Sequence, residues 1–143
     1  MRVLVINGPN LNLLGQREPG LYGEKSLDEI NSDLKKLAVE KQVEIDFFQS
    51  NHEGDLIDRI QQAKGNTDAF IINAGALTHY SIALLDALKA VNIPFVEVHL
   101  TNIYAREEYR HKSLLSPIAR GGIFGLGAAG YSLALQAVSE WFR

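Results

Sequence analysis

The chain has 143 residues, a formal net charge of −3 and no cysteine. At about 150 residues per domain this is one domain, residues 1–143, able to bury roughly 70% of its unfolded surface around a single core. The missing thiols exclude a disulfide framework, a cysteine nucleophile and Cys-ligated zinc or iron–sulfur sites, and they fit a reduced, cytoplasmic setting; the acidic pI near 5.8 argues against a nucleic-acid or anionic-membrane partner.

Residues 1–7 form a short, β-branched, nearly continuous apolar run, which predicts a strand buried on both faces. That run is far too short to span a membrane or to serve as a signal-peptide core. Ser26-Leu27-Asp28-Glu29 has the spacing of a capping box, and Leu27, Ile30, Leu34, Leu37 and Ala38 keep helical period behind it, so residues 26–41 are expected to be an amphipathic helix. Residues 43–48 alternate as a strand. Leu56, Ile57, Ile60 and Ala63 mark a helix over 54–64, and residues 69–73 a second buried strand. Thr78 is placed to cap a helix over 79–91. A strand over 94–100 opens on Pro94, a short one covers 121–125, and a terminal helix covers about 128–142. Such alternation implies parallel strands joined by right-handed crossovers. The expected fold class is α/β: a flavodoxin-like, doubly wound five-stranded parallel sheet in three αβα layers.

One connection breaks the rhythm. Residues 8–25 separate the first strand from the first helix, where such loops normally take 2–6 residues. Asn10, Asn12, Gln16, Arg17, Glu18 and Tyr22 lie there among glycines and prolines, which suggests an active-site lid rather than filler.

Ligands of open parallel sheets sit beyond the carboxyl ends of the strands. Here those ends read Asn7-Gly8-Pro9-Asn10, Asn73-Ala74-Gly75 and Glu97-Val98-His99-Leu100-Thr101-Asn102. Glu97, His99 and Thr101, spaced by two, share a strand face; they suit either a stabilising buried pair or a histidine oriented by a carboxylate for proton transfer. His79 and Asp86, seven apart, are expected on one face of the third helix, as site groups or as ordinary helix polarity. Arg106 and Arg110 share a helical face as a salt-bridged surface or as an anion and hydroxyl clamp.

Gly125, Gly127 and Gly130 match G-x-G-x-x-G, but no strand or acidic residue follows where a dinucleotide site needs them. Close helix–sheet packing is the expected role of all three. Neither a Walker loop nor an H-E-x-x-H motif is present, and the four histidines lack metal-ligand spacing.

Three blocks taken together resemble the type II 3-dehydroquinate dehydratases. They are Asn7 to Gly15 with Arg17 to Gly23; Asn73-Ala-Gly-Ala-Leu-Thr-His79-Tyr-Ser with Asp86-Ala; and Glu97-Val-His99-Leu-Thr-Asn102 continuing to Arg106-Glu-Glu-Tyr-Arg110. They occur in the family's order over nearly the whole chain. The resemblance implies dehydration of 3-dehydroquinate to 3-dehydroshikimate in the shikimate pathway, with no metal or organic cofactor, by a homo-oligomer arranged as a dodecamer, a tetramer of trimers.

By position, the resemblance makes Tyr22 the base, with Arg17 beside it, and His99 the acid. Asn73, Leu100 and Thr101 would hold the substrate carboxylate, and His79 and Arg110 the ring hydroxyls, with Asp86 arriving from a neighbouring subunit. Asn10 and Glu97 would support the enolate-linked water and the His99 orientation. Thr101 stands where the family usually has serine, which keeps the hydroxyl and stiffens the side chain. The implied chemistry is coherent: ionising a free tyrosine at pH 7 costs about 4 kcal/mol, which a guanidinium can offset once a closing loop excludes water. The competing reading is a flavodoxin-like module binding a nucleotide or flavin phosphate with the 8–25 loop and the Gly125 region. A bound chromophore or thermal stabilisation by nucleotide would favour it; the acidic balance and absent Walker lysine oppose it.

Overall fold

Strand and helix alternate along the chain, and in the computed structural model, which describes residues 1–142, every strand enters one parallel sheet. The strands are β1 (Arg2–Asn7), β2 (Glu44–Gln49), β3 (Ala69–Asn73), β4 (Phe95–His99) and β5 (Gly121–Phe124), in the order β2-β1-β3-β4-β5. The helices are α1 (Pro19–Tyr22), α2 (Leu27–Lys41), α3 (Glu53–Gln62), α4 (Ile82–Val91) and α5 (Ala129–Ser139). This is the doubly wound flavodoxin-like order, and it puts the carboxyl ends of β1, β3 and β4 side by side at the centre.

The apolar runs have a simple reason. Successive side chains of a strand point to opposite faces, so Val3, Val5, Ile71, Val96 and Val98 pack under α2 and α5, against Ile30, Leu34, Leu135 and Val138. Leu4, Ile6, Phe70, Ile72 and Phe95 pack on the other face against Leu56 and Ile60 of α3 and Leu84 and Leu88 of α4. Both faces are therefore apolar, and only the strand ends can hold polar groups at little cost.

The capping box forms as read: Ser26 Oγ accepts from the Glu29 amide at 3.1 Å, and Glu29 Oε1 accepts from Ser26 N–H at 3.5 Å. The expected cap at Thr78 does not form. Residues Gly75–His79 make a 3₁₀ turn, and the following helix starts at Ile82, capped by Ser81 Oγ, which accepts from Leu84 N–H at 3.0 Å. The Thr78 hydroxyl instead donates to Glu97. His79 and Asp86 consequently occupy different elements rather than one helical face. Arg106 and Arg110 also share no helix: they follow and end two separate 3₁₀ turns, Ile103–Ala105 and Glu108–Arg110.

The G-x-G-x-x-G stretch divides its labour. A Cβ on Gly130 would meet Ile123 Cγ2 at 3.3 Å and Val98 Cγ1 at 3.5 Å, so this glycine does allow close helix–sheet packing. Gly125 and Gly127, expected to do the same, are turn residues at φ +83° and +61°, in the left-handed region that favours glycine. The segment 8–25 contains a 3₁₀ turn, Leu11–Leu13, and the four-residue α1, with Asn10 and Glu18 at positive φ.

Among the described residues no helix is long and apolar enough to cross a membrane.

Candidate active site

The ends of β1 and β3 are tied together by buried polar groups. Asn7 and Asn73 are register partners at the last rung. Between their side chains sits the wholly buried Tyr131 of α5, whose hydroxyl donates to Asn7 Oδ1 at 2.5 Å and accepts from Asn73 Nδ2 at 2.9 Å. Burial pushes this phenol upward from the usual tyrosine range, so it stays neutral and serves as a fixed connector. Asn73 Oδ1 accepts from Gly75 N–H at 3.2 Å, which fixes the amide at both ends. Tyr131→Phe should therefore cost about 1–3 kcal/mol of folding stability, measured by urea denaturation, because Asn7 loses a donor without access to water.

The 8–25 segment leaves β1 along the β3 end. Gly8 N–H donates to Asn73 O at 2.8 Å, and a Cβ on Gly8 would lie 2.4 Å from Ala74 O, so only glycine fits this crossing. Asn10 N–H donates to Asn51 Oδ1 at 2.9 Å, which anchors the root of the segment. Farther along, the Arg17 guanidinium lies 4.7 Å from the Tyr22 ring centroid. The Tyr22 hydroxyl accepts from Arg106 Nη2 at 2.9 Å, and Arg106 Nη1 donates to Thr101 Oγ1 at 3.3 Å. Two guanidiniums thus flank one phenol, one on its ring and one at its hydroxyl.

At the end of β4, His99 Nε2 is 2.6 Å from Glu97 Oε2, and Glu97 is only 2% exposed. An ionised carboxylate only accepts, so Nε2 carries the proton of this bond. Burial by itself would raise the Glu97 carboxyl. The hydrogen bond and charge of His99, with the hydroxyls of Ser116 and Thr78, outweigh it and bring the group down from 4.5 to about 2. The sign for stability follows: with the folded value below the unfolded one, the native state gains from Glu97 above about pH 4.5 and loses that gain as pH falls toward 2. The urea midpoint should drop over that window, and Glu97→Gln should flatten the drop.

His79 stacks near His99, with ring centroids 6.3 Å apart. Its Nδ1–H donates to Lys112 O at 2.8 Å. Desolvation, with the nearby His99 and Arg110 charges, lowers its tendency to protonate against the pull of the Lys112 carbonyl. Neutral His79 therefore presents Nε2 as an acceptor. Arg110 donates from Nε to Glu107 Oε2 at 2.7 Å. These groups, with Asn10, Asn73, Leu100 and Thr101, line a cavity of about 170 Å³ beyond the strand ends.

A family model, Dehydroquinase class II, matches residues 1–139. The chain belongs to this family. It is 60% identical over 135 residues to a 3-dehydroquinate dehydratase of Francisella philomiragia, covering 94% of this chain and 92% of that protein. It is 57% identical to a catabolic 3-dehydroquinase 2 of Neosartorya fischeri, over 96% of this chain and 93% of that one. Its structure matches the type II dehydroquinase of Butyrivibrio crossotus with a TM-score of 0.95 at 45% identity, covering 98% of each chain.

In this class II dehydroquinase, the structure brings Tyr22, Arg17, Asn10, Asn73, His79, His99, Leu100, Thr101 and Arg110 to one cavity, with Glu97 behind His99. Asp86 is the exception: it is exposed on α4 and does not line that cavity. Sequence reasoning grouped Arg106 with Arg110 and did not see it as the hydrogen-bond donor to Tyr22. Thr78, Ser113, Ser116 and Tyr131 were missed as site residues; hydroxyls carry no motif, and each acts on a partner distant in sequence. Among the described residues no group of three or more His, Asp or Glu is placed to hold a metal ion.

Proposed function

We propose that this chain converts 3-dehydroquinate to 3-dehydroshikimate by anti elimination through an enolate, as a step of the shikimate pathway leading to aromatic amino acids. The observation that carries the reading is the pairing, in one cavity, of a phenol flanked by two guanidiniums with a histidine backed by a buried carboxylate. Tyr22, as phenolate, removes the proton from the carbon next to the ketone, and Arg17 and Arg106 stabilise the negative form that does so. The resulting enolate is supported by a water held at Asn10. It collapses to the enone and expels the hydroxyl, which leaves as water with the proton of His99. Glu97 compensates the imidazolium from which that proton comes.

Substrate recognition follows from the remaining lining. Asn73, Leu100 and Thr101 receive the carboxylate, whereas the His79 acceptor and the Arg110 donors suit ring hydroxyls. Each proton has a side chain of its own, so no cofactor enters the scheme. Residues 1–143 act as one catalytic unit with residues 8–25 as its lid, which would close Arg17 and Tyr22 over the substrate. Asp86 reaches a neighbouring subunit's site in a homo-oligomer, a dodecamer built as a tetramer of trimers, and the enzyme works in the cytoplasm. Its exposed position on α4, outside its own cavity, is compatible with that role.

The test is direct: purified protein with 3-dehydroquinate should produce enone absorbance. No absorbance at any enzyme concentration would overturn the assignment.

A further inference from the structure

The acid of this site depends on a carboxylate that is itself out of water. Glu97 keeps a charge in that position only if donors replace the lost solvent. Three hydroxyls supply them beside His99. Ser116 donates to Oε1 at 2.5 Å, Thr78 donates to Oε2 at 2.5 Å, and Ser113 lies 2.9 and 2.8 Å from the two oxygens.

Ser113 is held in a donor orientation by its own turn. Its Oγ accepts the backbone N–H groups of Leu115 at 3.1 Å and Ser116 at 3.0 Å. With both lone pairs engaged, its proton is left for Glu97 and for the Thr78 oxygen 2.9 Å away. Both serines belong to the segment 112–116, which is also fastened to the His79 side of the cavity. Leu114 N–H donates to Thr78 O at 2.8 Å, and the Lys112 carbonyl takes the His79 proton.

We infer that Ser113 and Ser116 are positioning residues: their hydroxyls hold Glu97 as an acceptor, which fixes the His99 proton on Nε2 and leaves Nδ1 as the nitrogen for a ligand. Neither serine lines the cavity, so neither meets a ligand there directly. A carboxylic acid in this cage would turn its own proton against groups that already donate, and His99 would lose its counter-charge.

The catalytic consequence rests on the elimination proposed above, whereas the state of His99 does not, and the experiment separates the two. Ser116→Ala and Ser116→Thr are compared with the unchanged protein by nitrogen NMR of ¹⁵N-histidine-labelled, ligand-free samples, and by kinetics with 3-dehydroquinate. Ser116→Ala should shift the His99 ring resonances and lower kcat about tenfold, with KM changed less than about twofold. Ser116→Thr should restore both. Ser113→Ala should shift the His99 resonances and lower kcat as Ser116→Ala does; if the lost turn prevents its folding, Ser116→Ala decides, because it leaves the Ser113 acceptor in place. His99 resonances identical to those of the unchanged protein would overturn the inference, as would a rise in KM matching the fall in kcat. A protein that shows no dehydration sinks the proposed function instead, and the ligand-free spectra still decide the role of the serines.

Discussion

Replacing Tyr22 with phenylalanine should lower kcat on 3-dehydroquinate by about a thousandfold, a typical loss for one general base, while KM and the unfolding midpoint stay close to those of the unchanged protein. The substitution is narrow for structural reasons. The ring remains beneath the Arg17 guanidinium, 4.7 Å from its centroid, and still packs on the core face under α2 and α5. Only the hydroxyl disappears, and with it the bond from Arg106 Nη2 at 2.9 Å. Arg106 keeps its contact with Thr101 and its ion pair with Glu107 at 4.0 Å, so the loss does not isolate a cation. Enone absorbance is the measurement, and turnover within tenfold of the unchanged protein would remove Tyr22 from the role of base.

Glu97→Gln should be costlier, because it harms folding and chemistry together. Oε1 faces the Ser116 hydroxyl, Oε2 faces Thr78 and His99, and the Ser113 hydroxyl reaches both. An amide keeps the shape but places an NH₂ donor against donors on whichever side it occupies, in a position 2% exposed. Breaking a buried, hydrogen-bonded pair in this way costs about 3 kcal/mol, equivalent to a fall of roughly 10 °C in Tm for a chain of this size. His99 also loses its counter-charge, so kcat should fall by about a hundredfold or more. Calorimetry reads the first effect and enone absorbance the second. A stable variant with kcat within twofold of the unchanged protein would show that the carboxylate neither holds the strand end nor assists the acid.

The sheet was legible because its signals are local. The continuous run of β1 reports burial on both faces, and Ser26 and Glu29 carry their cap within a single turn of chain. The polar strand ends were legible too, since Asn7, Asn73, Glu97 and His99 are costly residues in an otherwise apolar context. Legibility fails where two residues compete for one role. Thr78 and Ser81 are equally good caps by chemistry, and the outcome turns on Glu97, nineteen positions away, which claims the Thr78 hydroxyl. Arg106 pairs with Tyr22 across 84 positions, which no periodicity encodes. The choice of Tyr22 as base came from family resemblance; its position among two guanidiniums supplies a physical reason beside it.

The Tyr131 bridge also bears on how the site comes into being. Its bond to Asn7 spans 124 residues, from the first strand to the last helix. During synthesis β1, β3 and β4 emerge well before α5, so the asparagine pair has no phenol between its amides until residue 131 has followed them. Contacts of such separation form late and slow folding. A fragment ending before residue 129 would lack both the phenol that joins the two amides and the α5 side of one core face.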